Sequence, residues 1–72
     1  MSRILAMGEQ QRVAPLAMVG VEVVAVSDPV SLRRAWAGFR DDVGLVLLTR
    51  SAAAALAKEL HEPGHPLWVV MS

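Results

Sequence analysis

The chain has 72 residues, seven Lys or Arg against seven Asp or Glu, no net charge and no cysteine. That length holds one domain, residues 1–72; the scattered charge excludes an electrostatic nucleic-acid footprint, and the missing thiols exclude a disulfide framework and a thiolate metal site. Apolar residues make up 54%, above the about 45–50% of ordinary domains. A chain this short buries only roughly 60% of its unfolded surface, so a dense core is expected, with some apolar surface left for a partner.

Arg3–Met7 reads as a first strand leading into Gly8. Its apolar part is too short for a signal peptide and is cut off by Gly8-Glu9-Gln10-Gln11-Arg12. No run in the chain approaches the ~20 apolar residues of a membrane span. A short first helix follows, from Gln10 or Gln11 to about Val19. Val13, Leu16 and Ala17 stand at i, i+3 and i+4, and Met18 or Val19 extends the stripe. Pro15 is tolerated only in a first turn, so this helix begins near Ala14 or is irregular before it. Gly20 suits its C-terminus, and the Val-rich Val21–Val26 is the second strand.

Asp28 followed by Pro29 marks the N-cap and first position of a second helix. It runs to about Phe39, with Leu32, Ala35, Trp36 and Phe39 on one face and Arg33, Arg34 and Arg40 off it. Val43-Gly44-Leu45-Val46-Leu47-Leu48-Thr49 is an unbroken apolar run between Asp41-Asp42 and Arg50-Ser51. It lacks the alternation of a half-exposed strand, so it reads as an inner strand of a parallel sheet covered on both faces. Ser51 caps a third helix, about Ala52–Leu60, which turns Ala53, Leu56, Ala57 and Leu60 to the core. Pro63-Gly64 and Pro66 then turn the chain into a fourth strand, Leu67–Met71. The order β-α-β-α-β-α-β with short connections predicts an α/β fold. Its architecture is a four-stranded parallel sheet in order 2-1-3-4 with helices on both faces, Rossmann-like or flavodoxin-like.

Several motifs suggest chemistry, and each meets an obstacle. His61-Glu62-Pro63-Gly64-His65 matches the zinc-protease pattern H-E-x-x-H, which needs both His on one face of an unbroken helix. Pro63-Gly64 should break that helix, which leaves a solvated turn. Gly8 follows strand one where phosphate loops stand, yet neither G-x-G-x-x-G nor G-x-x-x-x-G-K-[ST] is present. A phosphoacceptor receiver domain resembles this β/α order, and Glu9 could supply its acidic residue after strand one. Thr49 stands where the phosphorylated Asp should be, so phosphotransfer is not expected. Ser27, Ser31 and Ser51 read as capping or first-turn residues, and Asp41-Asp42 as a solvated turn. No catalytic residue, cofactor or metal site is expected.

Three stretches carry a family resemblance: Ile4-Leu5-Ala6-Met7-Gly8-Glu9, Leu16-Ala17-Met18-Val19-Gly20-Val21-Glu22-Val23, and Asp41-Asp42-Val43-Gly44-Leu45-Val46-Leu47-Leu48-Thr49. They resemble, in turn, the opening strand with its Gly-acidic turn, the helix-to-strand passage and the third strand of the F subunit of the vacuolar/archaeal-type rotary ATPases. Pro15-Leu16 stands where the family has Gly-Phe, and the family's C-terminal extension, often a further helix, has no counterpart. The resemblance implies a non-catalytic part of the central rotor stalk. It would bind the long coiled-coil D subunit, tune ATP hydrolysis or synthesis, and be cytoplasmic, held peripheral to the membrane through the complex.

Strand order and crossover hand also predict where a partner sits. With order 2-1-3-4 and right-handed crossovers, helix one lies alone on one face and helices two and three on the other. Helix one can shield strands one and two. Over strands three and four its face is left bare, with the sequence ending at Ser72. Both strands are apolar throughout, so one alternating set of side chains is expected to face water, a pattern that marks interfaces. The candidate interface residues are Leu45, Leu47, Leu67, Trp68 and Val69. The expected cover is a partner, a second copy of the chain or an exchanged segment.

Overall fold

The computed structural model describes residues 3–39 and 42–71. Arg40 and Asp41, read above as an off-face helix residue and half of an acidic turn, lie outside the described residues, as does Ser72. Four strands, β1 (Arg3–Gly8), β2 (Glu22–Ala25), β3 (Val43–Leu48) and β4 (Leu67–Val70), form one sheet in the order β2-β1-β3-β4. All three pairings are parallel, as the alternation of strands and helices requires. No helix of the described residues is long and apolar enough to cross a membrane.

The main core lies on one face of the sheet. Leu5 pairs with Val46 and Met7 with Leu48, so these four side chains point the same way. They are covered by Leu32 and Trp36 of α2 (Pro29–Ala37), Ala52 of α3 (Arg50–Ala55), Leu56 between the helices, and Leu60 of α4 (Ala57–His61). Burying each of the larger side chains stabilises the fold by roughly 1.5–3 kcal/mol as an upper estimate. The start of α2 is built as its sequence predicts, since the Asp28 carboxylate accepts the Ser31 N–H at 2.9 Å and Pro29 opens the helix. Gly38 ends it, but Phe39 stays half-buried with its ring edge-on to Trp36, centroids 5.8 Å apart.

A register shift between Arg3 and Ile4 sets Arg3 opposite Val43 but Ile4 opposite Leu45. The extra residue, Gly44, makes a bulge that lets both Val43 and Val46 be buried although they are three apart. At this same end Arg3 of β1 bridges Glu22 of β2 at 2.6 Å and Asp42 before β3 at 3.0 Å. All three side chains are substantially exposed, so the bridge orients strand ends more than it stabilises them.

Three local readings are corrected. The first helix is α1 (Gln10–Val13) running directly into a 3₁₀ helix (Ala14–Val19) that contains Pro15, so the irregular part follows Ala14. A 3₁₀ turn has 3.0 residues rather than 3.6. At that period Val19 would still share a face with Val13 and Leu16, yet the buried stripe stops short of it: Val13 is fully buried, whereas Met18 and Val19, at the Gly20 end, are 90% and 75% exposed. Gly20, with φ 87°, closes the segment in the left-handed region. The third helix is capped by Thr49 rather than Ser51, because the Thr49 hydroxyl accepts the Ala52 N–H at 3.3 Å. It is interrupted at Leu56, and its inward face is Ala52, Leu56 and Leu60, with Ala53 packed against the core as expected and Ala57 exposed.

Trp36→Ala, at a side chain only 7% exposed, is expected to destabilise by roughly 3–5 kcal/mol. Exposed Arg33→Ala should stay within about 0.5 kcal/mol. Denaturant melts check both, and equal effects would show that the helical face is misassigned.

Candidate functional site

Two regions are built from residues whose placement the fold dictates. The first is the crevice at the carboxyl ends of β1 and β3. The chain leaves β1 toward α1 on one face and leaves β3 toward α3 on the other, so the two connections part and a hollow opens between them. Open α/β sheets bind ligands at such switch points. Here the hollow is about 300 Å³ and is lined by Glu9, Arg12, Thr49, Arg50, Ser51 and Met71.

Gly8 and Thr49 bring the two strand ends together. Thr49 N–H donates to the Met7 carbonyl at 3.1 Å, extending the β1–β3 ladder past β3. A Cβ on Gly8 would fall 2.3 Å from both Thr49 Oγ1 and Cγ2, and Gly8 has φ 148°. Both facts require glycine at that position. Thr49 is only 3% exposed, and its hydroxyl donates to Glu9 Oε1 at 2.6 Å. The Ser51 hydroxyl donates to the same oxygen at 2.5 Å. These two donors, Ser51 more than Thr49, hold the Glu9 carboxyl down to a pKa of about 2, so it is ionised throughout the neutral range. The Glu9–Thr49 pairing was legible in part, as an acidic residue after strand one and a polar residue ending strand three. The role of Ser51 was not, because capping and carboxylate binding use the same residue type.

The second region is a bare half of the sheet. Ile4, Leu45, Leu47, Leu67 and Val69 pair in register across β1, β3 and β4 and so share the face opposite the main core. On that face α1 and the 3₁₀ helix pack against β1 and β2, where Ala6 and Val13 are fully buried. Beyond them cover ends: Ile4 is 45%, Val69 51% and Leu67 75% exposed, with Leu45 and Leu47 half-buried. Both faces of β3 were expected to be covered, and one is only partly so. Trp68 is the exception among the candidate interface residues. It pairs with Val46 and so points to the opposite face, the one that holds the main core, where it stays 36% exposed. Strand parity separates it from Leu67 and Val69.

His61 ends α4, and Glu62 already has extended backbone. The two His of the H-E-x-x-H pattern therefore do not share a helix face. His65 is taken up by the turn: its Nδ1 lies 2.9 Å from the Pro66 carbonyl and its Nε2 3.1 Å from that of Leu60. Among the described residues no three His, Cys, Asp or Glu side chains cluster as metal ligands.

Comparison with protein-family models and with characterised proteins returns no match.

Two predictions test the crevice. Gly8→Ala should destabilise the fold, whereas the exposed, unobstructed Gly64→Ala meets only its φ of 87°; thermal melts of the pair should show the larger loss at Gly8. Glu9 is depressed on folding, so its contribution is present above the ordinary carboxylate range and is lost as pH falls from about 4.5 toward about 2. Carboxyl NMR should show Glu9 titrating near the bottom of that window, and Ser51→Ala should move its midpoint upward.

Proposed function

We propose that the chain is a non-catalytic component of the central stalk of a V/A-type rotary ATPase, of the kind the F subunit represents. On this reading it has no active site of its own. It binds a coiled-coil partner like the D subunit and through it modulates ATP hydrolysis or synthesis from the cytoplasmic side of the membrane. The observation that carries the reading is the bare apolar half-face of Ile4, Leu45, Leu47, Leu67 and Val69. A sheet face with that composition is costly to leave in water and suits the apolar side of a long helix. The three stretches that resemble this stalk family support it, and one of them, residues 41–49, contains the β3 part of this face.

A second reading is a receiver-like regulatory module that works by interaction and is not phosphorylated. It is favoured by Glu9 and Thr49 standing together at the ends of β1 and β3. The two readings differ in which surface meets the partner: the sheet face in the first, the strand-end crevice in the second.

Co-expression with the coiled-coil stalk protein of a V/A-type ATPase from the same genome tests the choice. Co-purification of a stoichiometric complex is expected. Leu67→Asp and Val69→Asp, both at exposed positions, should weaken it by at least tenfold with the far-UV spectrum unchanged. A complex that ignores these substitutions but is lost in Glu9→Gln would favour the second reading; no complex at all would defeat the first.

A further inference from the structure

The strand-end crevice carries an inference independent of what covers the sheet. Three oxygens meet there: Glu9 Oε1 lies 2.6 Å from Thr49 Oγ1 and 2.5 Å from Ser51 Oγ, and the two hydroxyl oxygens are 3.4 Å apart. Each hydroxyl has one proton, and each proton is committed to Glu9. Thr49 Oγ1 already accepts the Ala52 N–H at 3.3 Å and its side chain is buried, so what the triangle offers a visitor is lone pairs only: those of Ser51 Oγ and of the second oxygen of an ionised carboxylate. Such an arrangement accepts hydrogen bonds and positive charge and gives nothing to an anion.

The same hollow is also lined by Arg12 and Arg50. Neither guanidinium is paired with a carboxylate among the described residues. These groups offer only donors and positive charge. A simple anion would satisfy the arginines but meet the Glu9 carboxylate, and a simple cation would face the reverse conflict. A ligand bearing both signs meets neither conflict. Its ammonium can donate to Ser51 Oγ and to the free Glu9 oxygen, and its anionic group can take the guanidinium forks. The triangle is fixed before any ligand arrives, since Thr49 is buried and held by its own N–H and by Ala52 N–H. That preorganisation removes part of the ordering cost of binding.

We propose that the crevice between the ends of β1 and β3 is a binding site for a small zwitterion of the amino-acid class, with its ammonium on Glu9 and Ser51, which Thr49 holds in place, and its carboxylate on Arg12 and Arg50. The hollow, about 300 Å³, is at the small end of ligand pockets, which suits a compact molecule with a short spacer. Met71 supplies the apolar contact for that spacer.

The test uses the whole chain, isotope-labelled, and reads amide shifts at matched ionic strength. The probes are glycine, β-alanine and γ-aminobutyrate, which differ in spacer length, with acetate and methylammonium as the separate halves. Saturable shifts centred on Glu9, Ser51 and Ala52 are expected for at least one of the three amino acids, at least tenfold tighter than for either half. Glu9→Gln and Arg50→Gln should each weaken that binding by at least tenfold, with the shifts of the β3 core unchanged. Three results would overturn the proposal: no saturable shift with any of the three, binding of acetate as tight as that of the amino acids, or undiminished binding in both variants.

Discussion

Parallel strands cannot be joined by a tight turn, so each pair of neighbours in sequence must be linked by a crossover packed on one face of the sheet. In the order β2-β1-β3-β4 the first crossover runs one way along the sheet and the others run back. Helix cover is therefore divided unequally between the two faces. One face receives α2, α3 and α4 and holds the main core. The other receives α1 and a 3₁₀ helix, which reach β1 and β2. The bare half-face and the strand-end crevice both follow from this division, the first because cover runs out and the second because the chain leaves β1 and β3 toward opposite sides.

The junction of β1 and β3 is where that topology becomes chemistry. Gly8 and Thr49 come close enough that a single methyl group would not fit between them. This contact sets Glu9 against the Thr49 and Ser51 hydroxyls and depresses its pKa. Thr49 therefore has three tasks: it extends the ladder to β1, caps α3 and fixes the carboxylate. The Ser51 hydroxyl, freed from capping, is available to Glu9. A charged and hydrogen-bonded group is thus held rigidly at the sheet's carboxyl edge, and the flat apolar face lies elsewhere. One molecule can present both surfaces without either disturbing the other.

Local readings failed where neighbouring elements compete for the same residue. Ser51 and Thr49 are both competent caps, and the helix starts two residues earlier than a Ser51 cap would set it, with Thr49 accepting the Ala52 N–H. The stripe was read through to Met18 and Val19, whereas the 3₁₀ segment leaves both residues in solvent at its Gly20 end. Trp68 reads as one more apolar residue of a uniformly apolar strand. Its register against Val46 sends it to the other face. Gly44, a plain small residue in the sequence, is the bulge that returns Val43 to the core.

The sequence by itself determined the element order, the parallel character of the sheet and the apolar face of α2. Those depend on periodicity, on the Asp28-Pro29 start and on the alternation of strands and helices, all of which act within a short span of chain. Once the order 2-1-3-4 is taken, counting the crossovers within these residues also shows which side of the sheet each helix covers. Only the tertiary structure decided which side chains of β3 and β4 are left exposed, since that rests on register, and a shift of one residue exchanges the faces. Only the tertiary structure brought Glu9, Thr49 and Ser51 to one point, because residues about forty apart in the chain meet there through strand pairing, which local sequence does not encode.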